Sequence, residues 1–179
     1  PEPEITTIYS TSFGLIIGSY DQVNLIGKIY VYYNQVLTQI YETYLRPDTI
    51  LFSSYTNNLY VGFQGSQILY ANYSTTLASL TDTGINVAGT IIRQMSSTKS
   101  TGKIIVNTDI SSYIFDETSL VTTTVTLPGY ATSDQQGLSV FVQSLDLGIK
   151  NYQSTFINES FSAVNFDVLS NGSVDGLSG

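Results

Sequence analysis

Short runs of β-branched and aromatic residues, each closed by turn formers, recur along the whole chain, and this punctuation constrains the fold more than any other feature. Val23–Tyr33 is too apolar on both faces for an exposed sheet. Thr49–Tyr55 and Leu59–Gln64 are split by Asn57-Asn58, a pair that tolerates the positive φ of a tight hairpin. Gly65-Ser66 separates the latter from Gln67–Tyr73. Further strands are expected at Ile85–Arg93, Lys103–Ile110, Ser119–Leu127, Leu138–Leu147, Ser154–Asn158 and Ser160–Leu169. Short strands at this spacing, with little helix between them, predict an all-β sandwich or barrel. No repeat of fixed period and no Gly/Ser linker is visible.

One stretch is ambiguous. Val36, Leu37, Ile40, Tyr41, Tyr44 and Leu45 fall at helical spacing before Arg46-Pro47 ends the run. The surrounding strands favour a strand over residues 35–45. A short helix is expected near Leu77–Leu80.

Composition narrows the chemistry. The chain has 179 residues, with no Cys, His or Trp and with 14 Tyr. Thiolate nucleophiles, disulfides, imidazole bases and cysteine- or histidine-based metal sites are therefore excluded. Only 11% of residues are charged, against roughly 25% in ordinary globular chains. Six basic residues and a net charge of −8 argue against binding a phosphate backbone. No run of 18 apolar residues is present, so no transmembrane helix is expected. No enzyme, cofactor or metal site is expected. A polar surface built from hydroxyls and amides, with few ion pairs to lose, suits an acidic exterior.

Carboxylates are the remaining candidate catalysts. Asp116 and Glu117 are adjacent, so on a strand they point to opposite faces and make a poor acid–base pair. Both read as solvated turn residues. Lys28 and Lys103 fall within strands and read as guards of sheet edges. The tyrosines read as packing between sheets, with hydroxyls at the rim.

Residues 5–19 carry the clearest alternation. Ile5, Tyr9, Phe13, Leu15 and Ile17 occupy one parity and mostly small residues the other, over about 50 Å if fully extended. A strand this long at the start of a chain can complete a neighbour's unfinished sheet, its main chain filling an open edge and its side chains filling pockets. Such a contact is head-to-tail and builds a filament of identical subunits. The expected division is therefore a donor tail over 1–20 and a sandwich head over 21–179. A first strand retained within its own sandwich is the simpler alternative.

The proline-led start Pro1-Glu2-Pro3-Glu4, the hydroxyl- and tyrosine-rich strand from Ile5 to Ile17, the sequons and the lack of Cys and His together resemble subunits of the archaeal thread. That extracellular filament is similar in architecture to bacterial chaperone–usher pilins. The resemblance implies an Ig-like, pilin-like β-sandwich with an extended N-terminal donor strand. It also implies Ile5, Tyr9, Phe13, Leu15 and Ile17 as donor-strand anchors, heavy N-glycosylation and a role in surface adhesion. The start itself reads as a mature end left by signal-peptide removal, so an extracellular location is expected. Three sequons, at Asn72, Asn158 and Asn171, are the expected glycan sites. A jelly-roll viral coat protein and a surface-layer carbohydrate-binding β-domain are the competing readings.

Overall fold

The computed structural model describes residues 2–65, 67–72, 80–98 and 101–125, together with strand segments 129–133, 139–144, 148–155 and 160–165. The expected Leu77–Leu80 helix falls mainly outside them, as do Asn158 and Asn171. The all-β class is what the structure shows. Among the described residues, sixteen strands form four antiparallel sheets of four, and the strands of each sheet follow one another in chain order.

The first sheet comprises β1 (Glu4–Thr11), β2 (Gly14–Asp21), β3 (Ile26–Tyr33) and β4 (Val36–Thr43). The second comprises β5 (Pro47–Ser53), β6 (Asn58–Phe63), β7 (Gln67–Asn72) and β8 (Thr81–Asn86). The third comprises β9 (Ile92–Ser97), β10 (Lys103–Thr108), β11 (Ser112–Asp116) and β12 (Thr122–Val125). The fourth comprises β13 (Gly129–Ser133), β14 (Ser139–Ser144), β15 (Gly148–Thr155) and β16 (Ser160–Asn165). Sheets pack face to face, as in a sandwich, but the packing is repeated along a succession of meanders. The first strands are neighbours, β1 against β5 and β5 against β9. This is the blade-like arrangement of radially repeated four-stranded sheets.

Two apolar layers hold the first three sheets together. Between the first and second, Phe13, Ile16 and Ile29 meet Ile50, Leu59, Val61, Phe63 and Leu69. Edge-on ring contacts, Phe13–Phe52 at 5.3 Å and Tyr41–Phe63 at 6.1 Å, reinforce this layer. Between the second and third, Leu51, Tyr60 and Ile68 meet Ile92, Ile104, Val106 and Phe115. Strand β6 thus alternates between two cores, Leu59, Val61 and Phe63 on one side and Tyr60 on the other. An uninterrupted apolar run is what a strand buried on both faces requires.

The ambiguous stretch over 35–45 is strand β4. Asn34 and Gln35 have φ of 47° and 64°, and Tyr33 pairs with Val36, which makes a two-residue hairpin turn. The register then shifts between Ile29 and Tyr30, so Ile40 is an extra residue in the ladder. A bulge moves the alternation out of phase, and apolar residues on two faces then mimic a helical spacing. Asn57, with φ of 55°, closes the β5–β6 hairpin as its sequence predicts. The single strand expected over Ile85–Arg93 is in fact parts of two, because β8 of the second sheet ends at Asn86 and β9 of the third opens at Ile92.

The tail-and-head division is corrected. Residues 4–21 are not an extended donor strand but a hairpin, β1 on β2, within the first sheet. Its turn is built locally. Thr11 Oγ1–H donates to the Gly14 carbonyl at 2.8 Å and accepts from the Phe13 amide at 3.3 Å. Gly14 has φ of 131°, a conformation side chains rarely adopt, and a Cβ there would lie 2.5 Å from the Tyr32 carbonyl oxygen. The chain reverses where a continuous strand needs to run straight.

Candidate assembly face

The hairpin redistributes the five expected anchors. The register between β1 and β2 shifts between Ile5 and Thr7, and the turn breaks the alternation again. Tyr9 and Phe13 therefore point inward, onto the second sheet. Ile5, Leu15 and Ile17 lie on the opposite, outer face. Cross-strand pairing sets that face out in three rows: Ile5, Ser19, Lys28 and Glu42; Ile8, Ile17, Tyr30 and Gln39; Ser10, Leu15, Tyr32 and Leu37.

Most of these apolar side chains meet solvent. Ile5 is 60% exposed, Ile8 57%, Leu37 55% and Tyr32 40%. Ile8 and Leu37 escape sequence reasoning, Ile8 because it has the wrong parity for a continuous strand. The corresponding positions of the second sheet, Leu59, Val61 and Phe63, are wholly buried against the first. The run Val23–Tyr33, read as too apolar for an exposed sheet, has one such exposed face.

The lysines are not edge guards. Strands β3 and β10 are both interior, and each lysine pairs with a carboxylate across its ladder: Lys28 with Glu42 at 3.4 Å, and Lys103 with Asp116. Lys28 and Glu42 form a polar margin to the apolar rows.

Asp116, the last residue of β11, and Glu117, the first residue of the turn after it, take separate partners. Partial burial works to raise the Asp116 pKa. Lys103 and the donors of Ser119 and Thr118 outweigh it and hold the carboxyl at about 2. A folded-state pKa below the usual carboxylate value adds stability that is present above about pH 4 and lost as pH falls towards 2. Asp116→Asn is expected to remove that contribution, about 1 kcal/mol after solvent screening. Urea midpoints of the wild type and variant should differ at pH 6 and converge near pH 2. A constant gap would refute the assignment.

Glu117 lies in the turn after β11, as expected, but is not solvated. Only 5% exposed, it accepts hydrogen bonds from Ser53 Oγ at 2.7 Å, Thr56 Oγ1 at 2.5 Å and Tyr60 Oη at 3.1 Å. Burial, with the nearby carboxylate adding to it, pushes the Tyr60 phenol up to about 12. The cluster ties the β5–β6 turn of the second sheet to the end of β11 in the third.

At the other end, Arg46 lies 3.4 Å from Glu4 and 3.8 Å from Asp48. Asp48 in turn accepts from the Ile92 amide at 3.2 Å. Burial raises the Asp48 pKa despite these partners. The links join the starts of β1, β5 and β9. Among the described residues, no three His, Cys, Asp or Glu side chains group as metal ligands, and no helix is long and apolar enough to cross a membrane. Of the expected glycan sites, Asn72 closes β7.

No protein-family model matches the chain, and no curated protein sequence is significantly similar to it. Solved structures do share its fold. One, from Bacteroides uniformis, is provisionally named a 6-phosphogluconolactonase; it is 12% identical with a TM-score of 0.57, over 90% of this chain and 53% of that one. Another, a functionally unknown protein from Desulfotomaculum acetoxidans, is 13% identical with a TM-score of 0.62, over 92% of this chain and 56% of that one. The chain spans about half the length of these relatives in fold. At such identities the likeness concerns architecture alone.

Proposed function

We propose that the chain is a non-catalytic structural subunit of an extracellular assembly, joined to identical copies head to tail and serving surface attachment. The observation that carries this reading is the apolar outer face of the first sheet. Four strands at about 4.8 Å spacing and some six residues at about 3.3 Å give the whole face, its polar Ser19–Lys28–Glu42 end included, roughly 400 Å². The largest apolar patch of a soluble monomer is of that order and is often functional. Assembly then proceeds through a sheet face, not through a donated strand. A face of this size is smaller than a standard interface of about 800 Å² per partner, so each contact is weak and the assembly depends on concentration. The low charge of the chain and its carboxylate-rich balance fit an exterior, acid-exposed setting. Glycans on Asn72, Asn158 and Asn171 belong to the same proposal.

Sedimentation velocity across a concentration series, with negative-stain images of the same samples, tests it. The wild type is expected to form concentration-dependent oligomers. Ile8→Lys with Leu37→Lys places two charges on the outer face at positions more than half exposed, and is expected to yield monomers with an unchanged melting temperature. A wild type that stays monomeric at high concentration, or a variant that assembles equally well, would overturn the reading.

A further inference from the structure

Asp48 is the second residue of β5, and its side chain is 3% exposed. A carboxylate so far out of water keeps its charge only where donors or a cation replace its hydration. Asp48 has little of either. Its Oδ2 accepts from the Ile92 amide at 3.2 Å, and its Oδ1 lies 3.8 Å from Arg46 Nη1, beyond hydrogen-bond reach. The guanidinium is also shared, since Arg46 Nη2 donates to Glu4 Oε1 at 3.4 Å. A second carboxylate works against the first. Asp109, just past the end of β10, is close enough to repel Asp48. It is the better held of the two, accepting from the Thr90 amide at 2.8 Å, the Thr90 hydroxyl at 2.7 Å and the Ile91 amide at 3.4 Å. The charged groups facing Asp48 are thus Arg46 from the connection before β5, Glu4 of β1 through Arg46, and Asp109 from the third sheet. Thr90 holds Asp109 below the ordinary carboxylate range, while the loss of water pushes Asp48 above it. Of two neighbouring carboxylates, the one with fewer donors takes the first proton.

We infer that Asp48 is a proton-operated latch at the junction of the first three sheets: its charged form weakens the junction at neutral pH, and its protonated form secures it. The position gives the proton leverage. Strand β5 touches both β1 and β9, and the Asp48–Ile92 hydrogen bond ties the start of the second sheet to the start of the third. A carboxyl whose folded-state pKa lies above its unfolded value of about 4 binds a proton more readily folded than unfolded. Its contribution is therefore full below about pH 4 and lost as pH rises through the folded value. Asp116 has the opposite sign and loses its contribution only as pH falls from about 4 towards 2. Together the two favour the fold most in acid, near pH 4, and less at neutrality. The latch is a property of one chain and is independent of the proposed assembly.

Thermal melts of the full chain, its Asp48→Asn variant and a Glu2→Gln variant, at pH 4 and pH 7, test it. Asparagine keeps the shape and an acceptor for the Ile92 amide, and Arg46, with 34% of its side chain exposed, retains Glu4 and water. Asp48→Asn is expected to melt about 3 °C above the wild type at pH 7 and within about 1 °C of it at pH 4. Glu2→Gln removes an equal charge from an exposed position and is expected to show no such closing gap. An Asp48→Asn variant that melts below the wild type at pH 7, or that keeps one offset at both pH values, would overturn the latch. So would an equal closing gap for Glu2→Gln, which would assign the effect to net charge. Titration of the Asp48 carboxyl carbon by NMR in the wild type decides the matter even if the variant does not fold. A midpoint above the ordinary value of about 3.9 is expected, and one at or below it would overturn the inference.

Discussion

Glu117→Ala is expected to lower the unfolding free energy by about 3 kcal/mol, a large share of the 5–15 kcal/mol that holds a typical domain. The carboxylate is buried and takes hydrogen bonds from Ser53, Thr56 and Tyr60, which come from the second sheet while Glu117 comes from the third. Removing it strips three hydroxyls of a charged acceptor at once, and the Tyr60 phenol, itself 1% exposed, has little water to turn to. The loss is partly offset because a desolvated charge is also removed. Glu117→Gln keeps the shape and one acceptor oxygen, so it should lose about half as much. Urea unfolding at neutral pH measures both. If alanine costs less than about 0.5 kcal/mol, the range of an ordinary surface substitution, the cluster is an incidental contact and not a tie between sheets.

Gly27→Ala is expected to be of similar severity for a different reason. A Cβ at Gly27 would sit 1.9 Å from the Leu45 carbonyl oxygen and 3.0 Å from the Pro47 ring. Leu45 lies in the connection that carries the chain from the first sheet to the second and Pro47 opens β5, and a backbone carbonyl two residues before a strand-held proline cannot step aside cheaply. Overpacking of this kind costs about 3 kcal/mol, or roughly 6–12 °C in melting temperature for a chain of this size. Gly84 provides the control. It has φ of 71°, and a Cβ there would meet nothing within 4 Å, so Gly84→Ala pays only for conformation. That substitution should cost about 1 kcal/mol. Equal melting temperatures for the two variants would mean that the β4–β5 connection relaxes freely.

The sequence announces strands well and their partnerships poorly. β-branched runs and Asn or Gly punctuation identify β3, β5, β6, β7 and β10 because those signals are local. Strand β11 falls between the expected strands Lys103–Ile110 and Ser119–Leu127 and is missed although Tyr113-Ile114-Phe115 is aromatic and β-branched, because a three-residue run is too short to stand out. The fourfold meander is invisible as a repeat because its sheets start at irregular intervals, at Glu4, Pro47, Ile92 and Gly129. Face, not residue identity, is what recurs. In the N-terminal segment the apolar residues are plain and their geometry is not. Parity counting assumes a straight strand, and a bulge near Thr6 with a turn at Ser12-Phe13 reverses that parity twice. Glu117 is hidden for a related reason: nothing in its neighbours reveals that hydroxyls some 57 to 64 residues away converge on it.

The order of strands within the sheets has a kinetic consequence. Every ladder joins segments adjacent along the polypeptide, so each sheet can form as soon as its own four strands are available. Loop closure is then cheap, and folding should be quick for an all-β chain, which usually searches for distant pairings. A polypeptide of this kind emerging amino terminus first from the ribosome would zip up one meander at a time, each finished sheet templating the next.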